Sequence, residues 1–308
     1  MTAVNADPCG ILIVDKPSGP TSHDVVAKAR KLFATRKVGH AGTLDPMASG
    51  VLVVLLGEAT KMAAYLTAHD KRYRAVVAFG RSTDSFDAQG TTTKTLDLAP
   101  GWLDAGALEL ALQRERERSE QEPPVFSALK VGGARAHRLA RKGEAPELPA
   151  RPVRVRSLEL LTTSEGLVEV EMLVSKGYYV RSFARDLGAA LGVPAHLAAL
   201  RRLSSGPFTL SEACLWPASE PPPLMSVEEA AKRAMPTREL TPVGLNKAIK
   251  GQLLSPDDLS ACADQLGDEE PIAWLYLGQL VAIGVRRGDN YLVKRGFVSG
   301  RPARAIQP

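Results

Sequence analysis

The run Gly39-His40-Ala41-Gly42-Thr43-Leu44-Asp45-Pro46-Met47-Ala48-Ser49-Gly50 sets one carboxylate, Asp45, among turn-forming residues directly ahead of the apolar segment Val51-Leu55. Gly39, Gly42 and Gly50 permit positive φ or close backbone approach, and Pro46 steers Asp45 away from the right-handed helical region. An acid displayed at the mouth of a core strand can act as a nucleophile or as a general base. Ordinary tight turns use the same residue types. The chemistry therefore depends on what else the chain brings to Asp45.

The charge distribution points to a polyanionic partner. The chain has 39 basic and 34 acidic residues, a net charge of +5, and a pI near 9.1. From Lys130 to Arg156 there are eight Lys/Arg against two Glu, and from Arg286 to Arg304 six against one Asp. Asp257 to Glu270, by contrast, holds six acids and no base. Two basic segments of this kind suit nucleic acid. A carboxylate close to phosphates is repelled unless a cation offsets it, so Asp45 needs a partner. Arg181, which follows Tyr179 at strand alternation, is the best candidate for a bidentate pair that orients it; Lys16, Arg36 and Arg185 are weaker ones. Tyr73, inside Lys71-Arg72-Tyr73-Arg74, and Tyr178-Tyr179, just after Lys176-Gly177, combine rings with bases in the manner of base stacking, although a tyrosine in a strand also serves core packing.

Other chemistries lack their residues. There is no GxxxxGK[ST] phosphate loop, no GxGxxG after the first strand and no GxSxG elbow. Cys9, Cys214 and Cys262 are far apart, and His23, His40, His69, His137 and His196 have no metal-ligand spacing, so neither disulfides nor a metal or nucleotide cofactor is expected. No apolar run near the start is long enough to cross a bilayer or act as a secretory segment, and a cytoplasmic location is expected.

The elements that must position these residues form a mixed α/β pattern. Ile11-Val14 reads as a strand closed by Lys16-Pro17-Ser18-Gly19-Pro20; Thr21-Ser22 caps a helix to about Phe33. Val51-Leu55 is a buried strand, Ala59-Ala68 a helix and Tyr73-Val77 another strand. Arg81 to Gly101 and the charged Gln113-Glu122 belong on the surface. Pro123 to Pro152, basic and poor in periodic apolar residues, suggests an arm laid over a surface. Strands return at Val153-Leu160 and Leu167-Ser175, and a helix runs to about Leu191. A boundary at Leu240 leaves a small β-rich module with strands at Ile272-Tyr276, Leu280-Val285 and Tyr291-Val293.

Taken together these segments resemble the TruB family of tRNA pseudouridine synthases, which act on uridine 55 of the T-loop. The likeness runs through Asp15-Lys16-Pro17-Ser18-Gly19-Pro20-Thr21-Ser22, Gly39 to Pro46, Gly57-Glu58-Ala59-Thr60-Lys61, Lys71-Arg72-Tyr73, Gln121 to Lys130, Ser175 to Arg181 and Leu200-Arg201-Arg202-Leu203. The resemblance implies an α+β catalytic domain at 1–239, with a central mainly antiparallel sheet flanked by helices and an RNA-clasping arm at about 123–152. A PUA-like RNA-binding domain at 240–308 would follow. It implies that Asp45 is the catalytic aspartate, that Tyr73 stacks on the flipped base, that His40 helps hold the distorted T-loop, and that Tyr179, Arg181 and Leu200 line the pocket. No metal or cofactor is implied; the partner is tRNA, at its T-loop, elbow and acceptor side, and a monomer is expected. The chain departs from the common pattern at Ala41, Tyr178 and His137. Two other readings compete: an RNA chaperone that opens the tRNA elbow with Asp45 as a turn residue, and a nucleoside hydrolase pairing Asp45 with Asp84 or Asp87.

Overall fold

The computed structural model describes residues 7–126, 130–131, 134–135, 148–260 and 267–297. Most of the basic arm, with His137, lies outside the described residues, as does the end of the second basic cluster.

The first strand, β1 (Gly10–Lys16), pairs antiparallel with β3 (Ser49–Leu56), which also takes the short β2 (Val38–His40) beside it. Both long strands are continuous apolar runs because both of their faces are covered. Leu12, Val14, Leu52 and Val54 point into one core, and Ile11, Ile13, Val51 and Val53 into another. β4 (Lys71–Phe79) instead alternates. Tyr73, Ala75, Val77 and Phe79 face the first core, whereas Arg72 and Arg74 face outward. These arginines are answered across the pair by Glu169 and Glu171 of β6 (Leu167–Val174), which is flanked by the edge strand β5 (Val155–Ser164).

The sheet is closed by β7 (Ala195–Ser205), β8 (Phe208–Thr209) and β9 (Cys214–Leu215), in the order β5-β6-β4-β7-β3-β1-β9, with β8 paired to β7. Only β7/β3 and β1/β9 run parallel, so the nine-stranded sheet is mainly antiparallel. Its register matters for the site: Arg202 of β7 stands opposite Tyr73 on one side and Gly50 on the other.

Helix α1 (Ser22–Leu32) starts from a capping box in which Thr21 accepts from the Asp24 N–H and the Asp24 carboxylate accepts from the Thr21 N–H. The Ala59-Ala68 segment divides into a 3₁₀ turn at Gly57–Met62 and a short α2 (Ala63–Thr67). Helices α3 (Ala105–Arg116) and α4 (Val180–Ala190) cover the first core with Leu108, Leu112, Phe183 and Leu187. The charged segment Gln113-Glu122 is not wholly at the surface. It completes α3 and then pairs with the chain at Arg151–Pro152, and Glu115 and Gln121 are 5% and 2% exposed. The Arg81 to Gly101 stretch likewise buries Thr83 and Asp87.

After α5 (Val227–Ala234) comes a second sheet, β10 (Thr237–Glu239), β11 (Pro271–Tyr276), β12 (Gln279–Arg287) and β13 (Asn290–Gly296), backed by α6 (Pro242–Ile249). Its first strand comes from just before Leu240. One face packs Trp274 and Ile272 against Leu245 and Ala248; the other puts Ala273, Leu275, Ile283 and Phe297 into the same core as Ile11, Val51, Met62 and Ala230.

Candidate active site

The Asp45 loop is fixed almost atom by atom. The Ser22 hydroxyl at the start of α1 donates to the Leu44 carbonyl at 3.0 Å and accepts from the Leu44 N–H at 2.8 Å. On the other side of Asp45, the Gly19 N–H donates to Pro46 O at 2.8 Å and the Ser18 hydroxyl to Met47 O at 3.0 Å. The Ala48 N–H closes a turn on the Asp45 carbonyl at 3.1 Å. Gly42 and Gly50 have φ of 95° and 103°, in the region that favours glycine, whereas Gly39 sits in ordinary strand geometry. A Cβ on Gly50 would stand 2.2 Å from the Arg202 carbonyl.

Two buried cations hold this loop from beneath. The Arg202 guanidinium, with the residue 1% exposed, donates to Val51 O, Gly42 O and Thr43 O at 2.7, 3.0 and 3.3 Å. The Lys16 ammonium donates to Pro17 O, Pro20 O and Pro46 O at 2.9, 2.8 and 3.4 Å. Burial lowers the Lys16 pKa to about 8 against the partial support of the Asp45 charge, and Arg202 lowers it further. Lys71, also buried, donates to Thr67 O and His69 O, and burial and Arg202 bring it to about 8 as well.

Arg181 meets Asp45. Its Nε lies 2.9 Å from Oδ2 and its Nη2 donates to Oδ1 at 3.3 Å. The remaining donors reach Ser85 O at 3.1 Å and Phe126 O at 2.9 Å. The Arg181 side chain is 7% exposed and that of Asp45 35%, so a buried cation presents a reachable carboxylate. The strand alternation expected for Tyr179 and Arg181 is not what brings this about. Gly177, at φ 84°, ends the extended chain, Tyr179 is the extended N-cap of α4, and Arg181 lies in that helix's first turn. Lys16, Arg36 and Arg185 form no ion pair with Asp45 among the described residues; Arg185 pairs with Asp186 and lies over the Phe86 ring.

Asp87 stands 3.8 Å from the same Arg181 Nε, but its Oδ1 accepts from the Ser85 hydroxyl and the Gln89 N–H, and its side chain is 10% exposed. Asp84 accepts from the Thr91 N–H within the same loop. Both carboxylates are engaged in shaping the loop that carries Ser85.

Tyr73 and Leu200, 9% and 8% exposed, share one apolar cluster with Leu44, Met47 and Val180. His40 is half-buried in β2, edge-on to His23 at 5.7 Å, and its Nδ1 is buried without a partner among the described residues. Burial, then His23 and Arg202, lower its pKa and favour the neutral ring. The two adjacent tyrosines part ways. The Tyr178 hydroxyl is buried and donates to Glu115 Oε1 at 2.7 Å, and burial raises both the phenol and the Glu115 carboxyl. Tyr179 stays half-exposed, with its N–H and carbonyl both bound to the Gln121 side chain at 2.8 and 3.1 Å.

The sequence reading missed Arg202, Ser22 and Gln121 as site-building residues. Each lies in a segment already singled out for its pattern, but only the fold shows that its polar atoms face the loop or the start of α4. Among the described residues no group of three or more His, Cys, Asp or Glu could hold a metal ion, and no helix is long and apolar enough to cross a membrane.

A family model described as the TruB family pseudouridylate synthase N-terminal domain matches residues 30–180, and one described as the tRNA pseudouridylate synthase B C-terminal domain matches residues 181–218. The chain is 46% identical over 255 residues to tRNA pseudouridine synthase B of Mycobacterium sp. (strain KMS), covering 80% of this chain and 84% of that protein. It is 44% identical over 251 residues to the protein of the same name from Mycobacterium tuberculosis (strain ATCC 25618 / H37Rv), with the same coverage. Among solved structures it is similar to a Cbf5-Nop10-Gar1 complex, with a TM-score of 0.72 and 25% identity over 93% of this chain and 84% of the other. The fold of an H/ACA RNP bound to a substrate RNA containing 2′-deoxyuridine is also similar, with a TM-score of 0.68 at 24% identity over 94% of this chain and 84% of the other.

Proposed function

The chain belongs to the TruB family of pseudouridylate synthases and is a tRNA pseudouridine synthase, and we propose that its target is uridine 55 in the T-loop, with Asp45 as the catalytic carboxylate. The observation that carries the assignment of Asp45 is its pairing with buried Arg181 while it keeps a reachable edge. Binding alone gives no reason to hold an acid where phosphates must come. Chemistry at a sugar does.

A stacked uridine has to leave the loop before it can react, at a cost of about a few kcal/mol. Tyr73 offsets part of this by stacking on the extruded base, and Leu200 and Val180 give the pocket an apolar wall that retains uracil once it is detached. Tyr179 lines the pocket with Arg181 and Leu200, and His40 helps hold the distorted T-loop. The C1′–N1 bond then breaks with its electron pair going to N1. The Asp45 carboxylate assists either by attacking C1′ or by removing the C2′ proton. The uracil turns so that C5 faces C1′ and the C5–C1′ bond forms, displacing the Asp45 oxygen from C1′ in the first case and followed by return of the proton to C2′ in the second; C5 gives up its proton and N1 gains one, so that product and substrate are isomers. Arg181 acts through Asp45 by fixing its two oxygens, and Lys16 and Arg202 act by fixing the loop. Recognition would extend from the T-loop and elbow to the acceptor side, with the C-terminal PUA-like domain at 240–308 and the arm at about 123–152 as further RNA contacts.

The test is tritium release from unmodified tRNA carrying [5-³H]uridine, with wild type and Asp45→Asn compared after both are shown to bind. Release by the wild type alone is expected. Binding by both without release by either would leave the chaperone reading as the better one, and release of free uracil would favour hydrolysis.

A further inference from the structure

We propose that the exposed face of α1 and the turn that follows it form a phosphate-binding track that receives the tRNA backbone beside the flipped nucleotide. The inference rests on tRNA being the substrate, but not on the identity of the target uridine. Lys28, Lys31, Arg36 and Lys37 are all exposed, and none pairs with a carboxylate among the described residues. Several cations elsewhere in the molecule are answered by a carboxylate. Arg74 is answered by Glu169 and Glu171, Arg116 by Glu109, Arg156 by Asp70, Arg233 by Glu212, and Arg287 by Glu269.

The acid of α1, Asp24, is turned back onto Thr21 in the capping box and does not reach along the helix. Arg30 and Lys31 lie in the last turn, where they also offset the helix dipole, but Lys28, Arg36 and Lys37 lie outside that turn. Four exposed cations left unanswered within ten residues of chain favour a partner that supplies the negative charge.

The track begins at the site. Ser22 bonds both backbone groups of Leu44, next to Asp45, and His23 meets His40 edge to face. At about 1.5 Å per helical residue, Lys28 and Lys31 lie about 9 and about 14 Å along the axis from Ser22. At about 3.4 Å per nucleotide along a strand, that is the reach of roughly three to four nucleotides. The Arg30 guanidinium, bonded to Val38 O at 3.1 Å, ties the helix to β2 and so keeps the track in register with His40.

The experiment compares full-length unmodified tRNA binding to wild type, to Lys28→Gln/Lys31→Gln/Lys37→Gln, and to a charge-matched control, Arg74→Gln/Arg116→Gln/Arg233→Gln. Dissociation constants are measured across a salt series and single-turnover tritium release at saturating enzyme, with thermal melts to confirm folding. The track variant is expected to bind on the order of 10- to 100-fold more weakly, with a salt slope reduced by about 2 to 3. Its rate at saturation should match wild type, and the control should bind within about threefold of it. A track variant with wild-type affinity and slope, or a control equally weakened, overturns the proposal. A wild type that binds along this track yet releases no tritium would instead overturn the uridine reading and leave the track standing.

Discussion

Asp45 owes its geometry to Arg181, and the chemistry of the guanidinium decides how replaceable it is. Arg181 faces both carboxylate oxygens and at the same time bonds Ser85 O and Phe126 O, a planar fork that a single ammonium cannot reproduce. Arg181→Lys should slow single-turnover tritium release on the order of 100-fold while tRNA affinity changes less than about threefold, because orientation is lost and charge is not. Equal losses in rate and affinity would mean that Arg181 holds RNA instead. Lys16 ties the loop through three carbonyls with a pKa near 8. As pH rises through that value the ammonium loses one of its donors, so the single-turnover rate should decline above about pH 8. The stability effect has the opposite sign. Lys16 and Lys71 both have folded pKa values depressed from 10.5 to about 8. Between pH 8 and 10.5 the unfolded chain therefore holds more protons, and stability from these groups rises with pH. The melting-temperature difference between wild type and Lys71→Met should shift in favour of wild type from pH 8 to 10. The turn around Asp45 was legible from its residue types, although those types alone do not separate a site from an ordinary turn, and Arg181 was legible as its partner from the need for a cation. Arg202 was not, since nothing local says that a strand arginine will bury itself under another strand's loop.

At the level of elements, the start of α4 sets where Arg181 points, and a buried polar network sets the start of α4. Tyr178 bonds Glu115 of α3; Arg118 Nε bonds the other Glu115 oxygen at 2.8 Å and its Nη2 lies 3.1 Å from Asp186 of α4. The Ser182 hydroxyl donates to Glu122 O at 2.8 Å. Removing one hydroxyl leaves a buried carboxylate oxygen short of a donor, so Tyr178→Phe should cost about 1 to 3 kcal/mol, measured by urea unfolding. It should also slow tritium release more than Leu158→Ala, which weakens the same core away from the network. Gly50 makes a backbone case. Its φ is 103°, and an added methyl group would stand 2.2 Å from the Arg202 carbonyl, so Gly50→Ala cannot fit without moving β3 from β7. A loss of roughly 2 to 4 kcal/mol is expected from strain and clash together. The strands were legible because both patterns, continuous in β1 and β3 and alternating in β4, follow from how many faces are covered. The start of α4 was misplaced by one structural class because Tyr-Tyr-Val looks extended until Gly177 and the Gln121 side chain are seen to end the strand.

Across the whole molecule, charges that stand apart in sequence are combined in space. The acidic stretch around Asp268 and Glu269 meets the basic one at Arg286, Arg287 and Lys294, so part of the second basic cluster is neutralised within its own module. Linear charge counts therefore overstated that surface and passed over α1, where no acid answers. The two modules also share a core: Leu275, Leu280, Ile283 and Phe297 pack with Met62, Leu66, Ala230 and Ala231. Lys61 adds a bond to Gly296 O at 2.9 Å and lies over the Phe297 ring. An interface made of core residues predicts that the C-terminal sheet does not melt alone. In a Trp102→Phe/Trp216→Phe background, thermal unfolding followed by Trp274 fluorescence, by far-UV circular dichroism and by loss of tritium release should give one midpoint. Leu275→Ala, a buried truncation worth about 2 to 5 kcal/mol, should lower all three together. A transition seen by Trp274 at lower temperature, with catalysis intact above it, would show instead that the module is an independent unit tethered to the catalytic sheet.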